Sequence, residues 1–525
     1  MAMQEINKLP KTKIVATLGP ATESEEGIKS LIEAGMSVAR LNCSHGDWDT
    51  RVERLTKVRK MAYELDRPVG ILVDLQGPKI RTGTLPEGGV SISNGENIIL
   101  TTVKTDTDYR HDAPIKKIFV RNYPELTKDV EAGQSILIDD GVIRLEASQV
   151  RDTEVEAKVI FGGIVKSNKG VNLPESDQKN LASITEKDKE DIVEGVRNSA
   201  EFIALSFVKT AADIIELRQL INECNVDELP IKVIAKIEKP QAVDKLDEIL
   251  DVVDGVMVAR GDLGVELEPQ KVPMIQKEII SKANFKKKFV ITATQMMDSM
   301  VNKPFPTRAE VSDVANAILD GTDAVMLSNE TAMGSYPTET VSQMAKIALE
   351  VETNGEIKVE KRNLKDLDPE NVDYINHLAI AQSVENFSKL KHVDKIIVFT
   401  CSGKSATMIS KLRPDAKVIA ATTYEHTYNY LSILWGVIPV HFDEVQQTTE
   451  TIYNIERYLI DQQLIEEGET VIVTGGLPIA ARGPSNFVKL HKCDGSIKEL
   501  KEISKELNAK KLGPTIKKPD PALQS

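Results

Sequence analysis

The sequence feature that most constrains the fold is the stretch from Ile231 to Gly264, which has the pattern of a strand, a helix and a second strand. Two apolar, β-rich runs, Ile231–Ile237 and Gly255–Ala259, flank a segment with helical periodicity that begins at Pro240. Two strands joined through a helix in this way lie parallel in one sheet. The stretch therefore predicts a βαβ unit.

Both strands of this unit end on charged side chains, which are Lys236 and Glu238 in the first and Arg260 and Asp262 in the second. Ligands of parallel α/β folds bind at the carboxyl ends of the strands, so we expect all four side chains to converge on one pocket. The two carboxylates predict a Mg²⁺ site, and the two cations favour an anionic substrate. The alternative is a set of surface ion pairs at loop starts.

The same pattern recurs along the chain and yields about eight βα units, the number that closes a TIM (β/α)8 barrel. An open doubly wound sheet is the alternative. The last helix of the series is predicted over Thr338–Glu352. The predicted strands are Lys13–Gly19, Met36–Cys43, Val69–Leu75, Phe202–Phe207, Ile231–Glu238, Gly255–Asp262, Phe289–Gln295 and Asp323–Glu330.

The helix expected after the third strand is missing, and short alternating segments occupy the chain from Gly77 to about Asn172. They predict a β-rich domain inserted in a barrel loop, over the carboxyl ends of the strands, where a mobile lid is useful. The sequence Asp139-Asp140-Gly141 predicts a hairpin turn in it. The predicted segments are Ser91–Ile92, Asn97–Thr102, Ser135–Ile138, Val142–Leu145 and Val155–Ile160.

A second α/β pattern follows a polar linker, Thr353–Asp373, and predicts a separate open sheet. We therefore divide the chain into a barrel domain (1–78 and 172–353), an inserted lid domain (79–171), a C-terminal α/β domain (354–497) and a charged tail (498–525), for which we expect a solvated or disordered state. The elements predicted in the C-terminal domain are a helix at Tyr374–Leu390 and strands at Lys395–Thr400, Lys417–Ala421, Ile438–Val440 and Glu469–Thr474.

Composition excludes several classes of function. A chain of 525 residues is too long for one core and fits about three domains. Its net charge of -14 argues against nonspecific nucleic-acid binding. No run of about 18 apolar residues indicates a membrane span, so we expect a soluble, cytoplasmic protein. The four cysteines are scattered without a CxxC pair, which argues against a disulfide framework and against a zinc site.

Polar clusters also end other predicted barrel strands, and their order along the chain is specific. They read RLNCSHG from Arg40, DLQGPKIRTG from Asp74, AKIEKP, VARGDLGVE, ATQMM and SNETA. With KTKIVATLGPAT near the start and TCSGKSA in the C-terminal domain, they make nearly the whole chain resemble the pyruvate kinase family. The resemblance implies a barrel with a β lid and an allosteric C-terminal domain, usually in a homotetramer. It implies phosphoryl transfer from phosphoenolpyruvate to ADP, giving pyruvate and ATP in the last step of glycolysis.

The resemblance also implies roles for single residues. Glu238 and Asp262 are similar to the family's ligands for Mg²⁺ (or Mn²⁺), and Lys236 is similar to the lysine that stabilises charge on the transferring phosphoryl group. Arg40 corresponds to the residue that holds the phosphate. The positions that face ADP correspond to Pro20, Asn42, His45, Arg81, Lys169 and, on the lid, Asp140.

Two further roles follow from the same resemblance. The main-chain N–H groups around Gly261 and Asp262, with Thr294, hold the substrate carboxylate. Thr294 and Ser328 order a water relay that protonates the enolate.

Lys79 departs from the pattern of the potassium-dependent members, which carry Glu at this position. A tethered ammonium beside Asp74 would supply the charge that K⁺ brings, so we predict activity without K⁺. The alternative is a loop lysine beside a site that still binds K⁺. The remaining ligands of that site would be Asn42, Ser44, Asp74 and the carbonyl of Leu75.

Two features bear on ligand specificity. Thr50 stands where some relatives place an adenine-facing tyrosine, so a screen of GDP and UDP against ADP tests nucleotide selectivity. In the C-terminal domain a loop follows a strand and opens a helix, as a phosphate-binding loop does, and the resemblance makes it an effector site. Cys401 replaces a lysine of the family there, so we predict a monophosphate effector, a sugar monophosphate or AMP. The effector residues are Thr400, Ser402, Gly403, Lys404 and Ser405.

Two other functions remain as alternatives. A Mg²⁺-dependent carbon–carbon lyase acting on pyruvate-like enolates also holds its metal with Glu and Asp at neighbouring strand ends, but it gives no reason for the lid or the effector domain. A non-catalytic metabolite sensor would not need Lys236, Glu238, Asp262 and Thr294 together. A direct assay of pyruvate formation separates these classes.

Overall fold

The computed structural model describes residues 6, 8–104, 115–176, 178, 180–358, 372–389, 393–442, 448–477, 479 and 483–493. Its largest sheet is a closed barrel of eight parallel strands, each hydrogen-bonded to its neighbours in chain order, with the first strand also paired to the eighth. The predicted TIM barrel is confirmed. The strands are β1 (Lys13–Thr17), β2 (Met36–Asn42), β3 (Gly70–Asp74), β4 (Phe202–Leu205), β5 (Lys232–Ile237), β6 (Gly255–Ala259), β7 (Phe289–Ala293) and β8 (Ala324–Leu327).

The barrel strands read as continuous apolar runs because both of their faces are buried. Inside the barrel, the rings of Phe202 and Phe289 meet edge to face with their centroids 5.9 Å apart. Gly255 is required beside them, because a Cβ there would lie 2.2 Å from the Phe289 ring. The Phe289 side chain on β7 therefore fills the space that the glycine on β6 leaves.

The α-helices of this domain follow the strands and form the outer layer. Two of them begin with reciprocal caps in which Thr185 and Thr307 each bond the residue three positions later. One helix begins directly after β6, so Arg260 and Asp262 belong to its first turn and not to the strand. The helices are Glu25–Ala34, Trp48–Glu64, Glu186–Arg197, Ala211–Cys224, Pro240–Asp244, Leu246–Val252, Arg260–Glu266, Val272–Phe285, Arg308–Leu319, Asn329–Ala332 and Pro337–Asn354.

The segment between β3 and the helix at Glu186–Arg197 contains the additional β-rich structure that the sequence predicts. It forms a seven-stranded and a two-stranded sheet. The residues Asp139, Asp140 and Gly141 have φ of 56°, 53° and 83° and join two antiparallel strands, which confirms the hairpin turn. The strands are Arg81–Thr82, Val90–Ile92, Asn97–Thr101, Lys116–Arg121, Ser135–Ile138, Ile143–Val150, Glu154–Phe161, Gly163–Val165 and Val171–Asn172, with a short helix at Leu126–Asp129.

The C-terminal part is an open α/β sheet, as predicted. Its strands are β9 (Lys395–Phe399), β10 (Lys417–Thr422), β11 (Val437–His441), β12 (Thr470–Gly475) and β13 (Phe487–Lys492), in the order β11-β10-β9-β12-β13. The edge strand β13 is antiparallel to β12 and is absent from the sequence prediction. The helices are Val372–Ser388, Lys404–Ser410, Glu425–Tyr430 and Thr448–Asp461.

The expectations for the polar linker and for the charged tail concern residues that mostly lie outside the described part of the chain. The charged tail, residues 498–525, and most of the linker lie outside the described residues. Within the part of the chain that is described, no helix is both long and apolar enough to cross a membrane.

The C-terminal domain packs against the amino ends of the barrel strands, opposite the strand ends that carry the charged clusters. Lys13 Nζ at the start of β1 donates to the Val437 carbonyl at 2.7 Å, and Gly70 N–H at the start of β3 donates to Ser432 Oγ at 3.1 Å. The His426 ring donates through Nε2 to the Ala200 carbonyl at 3.2 Å. These contacts leave the carboxyl ends of the strands open to a ligand.

We expect the burial of His426 to make stability depend on pH. Burial lowers the pKa of His426 from 6.5 to about 4, so below pH 6.5 the unfolded chain binds the proton and the folded chain does not. The contribution of neutral, buried His426 to the free energy of unfolding is complete above pH 6.5 and is lost as the pH falls towards 4. His426→Gln should therefore reduce the loss of unfolding free energy between pH 7.5 and pH 5 by about 1–2 kcal/mol. The measurement is urea unfolding at both pH values.

The exposed His45, changed to Gln, is the matched control and should leave the acid dependence as it is in the unmodified chain. If His426→Gln and His45→Gln show the same dependence, His426 does not contribute to acid sensitivity.

Candidate active site

Asp74, at the end of β3, is a buried carboxylate that joins two cations from neighbouring strands. Arg40 at the end of β2 contacts its Oδ2 through Nε at 2.7 Å and through a terminal nitrogen at 2.6 Å. Lys236 on β5 lies 3.1 Å from Oδ1. Burial alone would raise the pKa of Asp74, but Lys236 and Arg40 outweigh it and lower that pKa. Asp74 is therefore an anion that fixes both cations at the mouth of the barrel.

Lys236 lies at the centre of the site. Its Nζ is 3.0 Å from Glu238 Oε1 and donates to Ser206 Oγ at 2.7 Å. Burial by itself would lower the pKa of Lys236, but the carboxylates of Asp74 and Glu238 reverse the shift and raise it. The ammonium is consequently charged at neutral pH, and its three partners hold it in one position.

Glu238 and Asp262 form the carboxylate pair that the sequence predicts. Glu238 is 1% exposed and accepts the Phe207 N–H at 2.7 Å through Oε2. Burial, together with the like charge of Asp262, raises the pKa of Glu238 although Lys236 opposes the shift. Two carboxylates that repel each other gain most from a shared cation, and hard oxygen donors are those that Mg²⁺ prefers. The donor set therefore fits Mg²⁺.

Thr294 follows β7 in a backbone conformation that is unusual for a β-branched residue. Its φ is 71°, and that of Gln295 is 54°. Thr294 Oγ1 accepts the N–H of Gly261 at 2.7 Å, which connects the loop after β7 with the helix after β6. Strain of this kind persists only where neighbouring contacts hold it, and it clusters at functional sites.

Arg260 provides one of those contacts, and its position corrects a sequence expectation. We expected its guanidinium to face the same pocket as Lys236. Instead, it donates to the Thr294 carbonyl at 2.8 Å and pairs with Asp313 at 2.7 Å. Arg260 therefore fixes the backbone of the loop that carries Thr294, because the helix that starts at this residue turns its side chain towards that loop.

Arg40 and Ser328 lie near the junction of β1 and β8. Arg40 donates to Thr17 Oγ1 at 2.9 Å, and Thr17 Oγ1 donates to the Leu327 carbonyl at 2.8 Å. The N–H of Ser328 donates to Glu330 at 2.7 Å, and Glu330 also accepts the Met297 N–H at 3.2 Å. Buried Glu330 thus holds the loops after β7 and β8 together.

The residues expected to face a nucleotide form two groups. Asn42 and the exposed His45 lie after β2, where Asn42 Oδ1 accepts the Ser44 N–H at 3.1 Å. Arg81, Asp140 and Lys169 lie in the inserted segment, where Lys169 pairs with Asp139 at 2.7 Å. Burial and Arg121 lower the pKa of Arg81, whereas Asp140 opposes that shift. The exposed Pro20 follows β1.

Lys79 reaches a partner other than the one expected from the sequence. Its Nζ lies 4.0 Å from Asp262 Oδ1, whereas Asp74 contacts Arg40 and Lys236. The expectation that Lys79 stands beside Asp74 is therefore corrected, because the site beside Asp74 already holds two cations. Lys79 instead places its charge beside Asp262 of the carboxylate pair.

The loop expected to bind an effector has a defined geometry. Thr400 Oγ1 accepts the Gly403 N–H at 3.0 Å, and Gly403 has φ of 79°. A side chain at Gly403 would lie 2.4 Å from the Tyr430 ring, so only glycine fits. Ser405 Oγ is 2.7 Å from Ser485 Oγ, while Ser402 and Lys404 are exposed.

Two side chains of this site are missing from the sequence prediction. Ser206 binds the Lys236 ammonium, and Thr17 binds Arg40. Both stand at the end of a barrel strand, Thr17 as the last residue of β1 and Ser206 directly after β4. The rule that polar side chains gather at strand ends would have found them, because it applies to every strand of a barrel.

These features define the class of protein. The closed (β/α)8 barrel brings a lysine, an arginine and two carboxylates together at the carboxyl ends of its strands. The carboxylates suit a hard cation, and the lysine and arginine suit an anion. Such a site is that of an enzyme for an anionic substrate and a divalent metal ion.

Comparisons with known proteins identify the family. The family model "Pyruvate kinase, barrel domain" matches residues 9–341, and "Pyruvate kinase, alpha/beta domain" matches residues 378–491. The chain is 43% identical to a pyruvate kinase of Geobacillus stearothermophilus and 42% identical to one of Staphylococcus aureus, each over 92% of this chain and 80% of the relative. This chain belongs to the pyruvate kinase family.

A solved structure agrees with this result. The crystal structure of a pyruvate kinase from Cryptosporidium parvum superimposes with a TM-score of 0.82 at 35% identity, over 93% of this chain and 97% of that chain. The relatives are phosphotransferases of a family that generally needs Mg²⁺ and usually K⁺.

Proposed function

We propose that this chain transfers the phosphoryl group of phosphoenolpyruvate to ADP, giving pyruvate and ATP with Mg²⁺. The observation that carries the proposal is the contact chain Arg40–Asp74–Lys236–Glu238, which joins the ends of β2, β3 and β5. Phosphoryl transfer depends mostly on positioning and on stabilising charge. Two fixed cations beside a carboxylate pair supply both.

In the proposed mechanism, Arg40 holds the phosphate and Lys236 faces the transferring group. Asp74 orients both cations, and Ser206 contributes a third partner for the ammonium of Lys236. Because these groups are ordered before the substrate arrives, little reorganisation is needed when charge develops. Glu238 and Asp262 would hold Mg²⁺, which supplies positive charge to the oxygens of the substrate when it is bound.

The substrate carboxylate is proposed to bind the main chain around Gly261 and Asp262, next to Thr294. The Gly261–Thr294 hydrogen bond and the Arg260 contacts keep this corner rigid. Thr294 and Ser328 are proposed to order the water relay that protonates the enolate. The two loops that carry them are tied by Glu330, which supports a fixed distance between the two hydroxyls.

ADP is proposed to bind between the barrel and the lid, at Pro20, Asn42, His45, Arg81, Asp140 and Lys169. The loop Thr400–Ser405 is proposed to bind a phosphorylated effector in a homotetramer that works in the cytoplasm. The hydroxyls, the exposed Lys404 and the tight Gly403 turn support an anion at this loop.

The test is direct. Purified protein with phosphoenolpyruvate, ADP and Mg²⁺ should form pyruvate and ATP in equal amounts, both measured without coupling enzymes. Pyruvate formed without ATP would indicate hydrolysis or lyase chemistry and would contradict kinase activity. No pyruvate, even with sugar monophosphates or AMP added, would overturn the proposal and favour a metabolite sensor.

We further propose that the chain belongs to the Lys-bearing branch of the family and acts without K⁺. The Lys79 ammonium lies beside the Asp262 carboxylate and supplies a positive charge there. Without Lys79, a free cation would have to supply that charge. In tetramethylammonium buffer the chain should keep its turnover within about twofold of the value in K⁺. Lys79→Glu should instead need K⁺, and a steady-state assay with and without KCl measures the difference.

The matched control is Lys158→Glu, an exposed lysine on a strand of the inserted segment with the same change of charge. It should leave the activity independent of K⁺. A wild-type chain that is nearly inactive without K⁺ and recovers with KCl would make Lys79 incidental.

A further inference from the structure

The C-terminal domain holds a buried cluster of three potential metal ligands, away from the barrel site. His491 lies on β13, Cys493 directly follows that strand, and Glu456 lies on the helix Thr448–Asp461. The exposed fractions of Glu456, His491 and Cys493 are 1%, 3% and 0%. One ligand atom from each lies within 4.8 Å of the other two.

The strand pattern explains how these residues meet. Side chains two positions apart in an extended chain share a face, so His491 and Cys493 point the same way while Leu490 and Lys492 are exposed. His491 Nε2 lies 2.7 Å from Glu456 Oε2. The ring of Tyr453, from the same helix as Glu456, packs edge-on against the imidazole and fixes its plane.

We propose that Glu456, His491 and Cys493 bind a zinc-type transition metal ion. Imidazole nitrogen, thiolate sulfur and carboxylate oxygen are the three donor types of zinc sites in proteins, and three protein ligands with water in the fourth position form a complete tetrahedral set. The proposal departs from the expectation of no zinc site, which rested on the scattered cysteines, because the other two ligands come from a histidine two residues away and from a helix that packs against it.

Charge supports a cation at this place. A divalent ion with one thiolate and one carboxylate makes a neutral group, which avoids the cost of burying net charge. On binding, the thiol of Cys493 loses its proton to solvent. His491 binds through Nε2 with its proton on Nδ1, so the ion replaces the hydrogen bond to Glu456. A histidine–carboxylate pair alone would not need the soft sulfur.

The site would hold the edge of the sheet. Among the described strands, β13 is the edge of its sheet and pairs with β12, and the ion would tie its end to the helix Thr448–Asp461. The experiment uses the full chain in excess Mg²⁺, which occupies the carboxylates of the barrel. Co²⁺ is then added, and the thiolate-to-cobalt charge-transfer absorption is followed together with bound metal after gel filtration.

We expect about one Co²⁺ per chain, a charge-transfer band, and displacement of both by Zn²⁺. Cys493→Ser should lose the band and His491→Gln should lower the bound metal at least tenfold, whereas the control Cys224→Ser, on a barrel helix, should keep both. Because the variants alter a buried site, the wild-type chain is also melted with Zn²⁺ and with a chelator, and Zn²⁺ should raise the melting temperature. No band in the wild-type chain, or a band that persists in Cys493→Ser, would overturn the proposal.

Discussion

Replacement of Lys236 by Met is expected to lower kcat by about 10³-fold or more, with a much smaller change in KM for ADP. The Lys236 ammonium is held by Asp74, Glu238 and Ser206, so its charge is already in place when charge develops on the transferring group. Methionine keeps most of the length of the side chain and removes the ammonium, with its charge and its hydrogen-bond donors. Steady-state rates of pyruvate formation, with each substrate varied, measure the effect.

Lys232→Met is the matched control, because Lys232 lies on the same strand, β5, at the opposite end of the barrel. Its Nζ is 4.7 Å from the centre of the Tyr430 ring in the C-terminal domain, so it has no contact with the proposed chemistry. We expect kcat within about threefold of the unmodified value, since the change leaves the other end of the strand intact. Equal losses in the two variants would mean that the effect is structural.

The positions of the proposed catalytic groups could be predicted because they depend on one rule. Polar residues at the carboxyl ends of parallel strands meet at one edge, so the ends of β2, β3 and β5 identify Arg40, Asp74, Lys236 and Glu238 without coordinates. Their partners could not be predicted in the same way. Asp74 binds Arg40 and Lys236, whereas Lys79 lies beside Asp262. These pairings depend on differences of a few ångströms, which residue spacing along the chain does not predict.

Arg260 shows a second limit of the sequence pattern. The prediction extended β6 to Asp262, but a helix begins at Arg260, and a helix projects successive side chains about 100° apart. Asp262 therefore stays in the site, near Lys79, while Arg260 turns to the loop after β7. Short apolar runs do not show where the backbone changes conformation, so the end of a strand is hard to place from the sequence.

The two longest of the unpredicted strands have a common cause. Lys116–Arg121 and β13 are edge or partly exposed strands, with sequences KKIFVR and FVKLHK that mix charge with apolar residues. Their hydrogen bonds come from partners distant in the sequence, which local patterning does not reveal. The Glu456–His491–Cys493 cluster was missed for the same reason, since β13 is the element that brings two of its members to the helix.

The second large effect is expected at the base of the barrel, where Asp323→Asn should lower the free energy of unfolding by about 3–5 kcal/mol. Asp323 is 0% exposed and binds Lys411 and Arg413 of the C-terminal domain, with Arg413 at 3.0 Å. Burial lowers the pKa of Lys411 to about 7, and Asp323 is the main group that opposes the shift. Without its carboxylate, two buried cations face each other uncompensated.

The local probe is Trp435, whose ring lies 4.7 Å from the Arg413 guanidinium, observed in a Trp48→Phe background during urea unfolding. Asp247→Asn, at a carboxylate with 63% of its side chain exposed, is the control and should change stability by less than about 0.5 kcal/mol.

A double variant tests whether the lost charge is the cause. If it is, removing one of the two cations as well should restore part of the stability. Asp323→Leu with Lys411→Met should be more stable than Asp323→Leu alone, because the added change eliminates an unpaired buried ammonium. A double variant that is less stable than the single one would show that packing, and not charge, holds the C-terminal domain to the barrel.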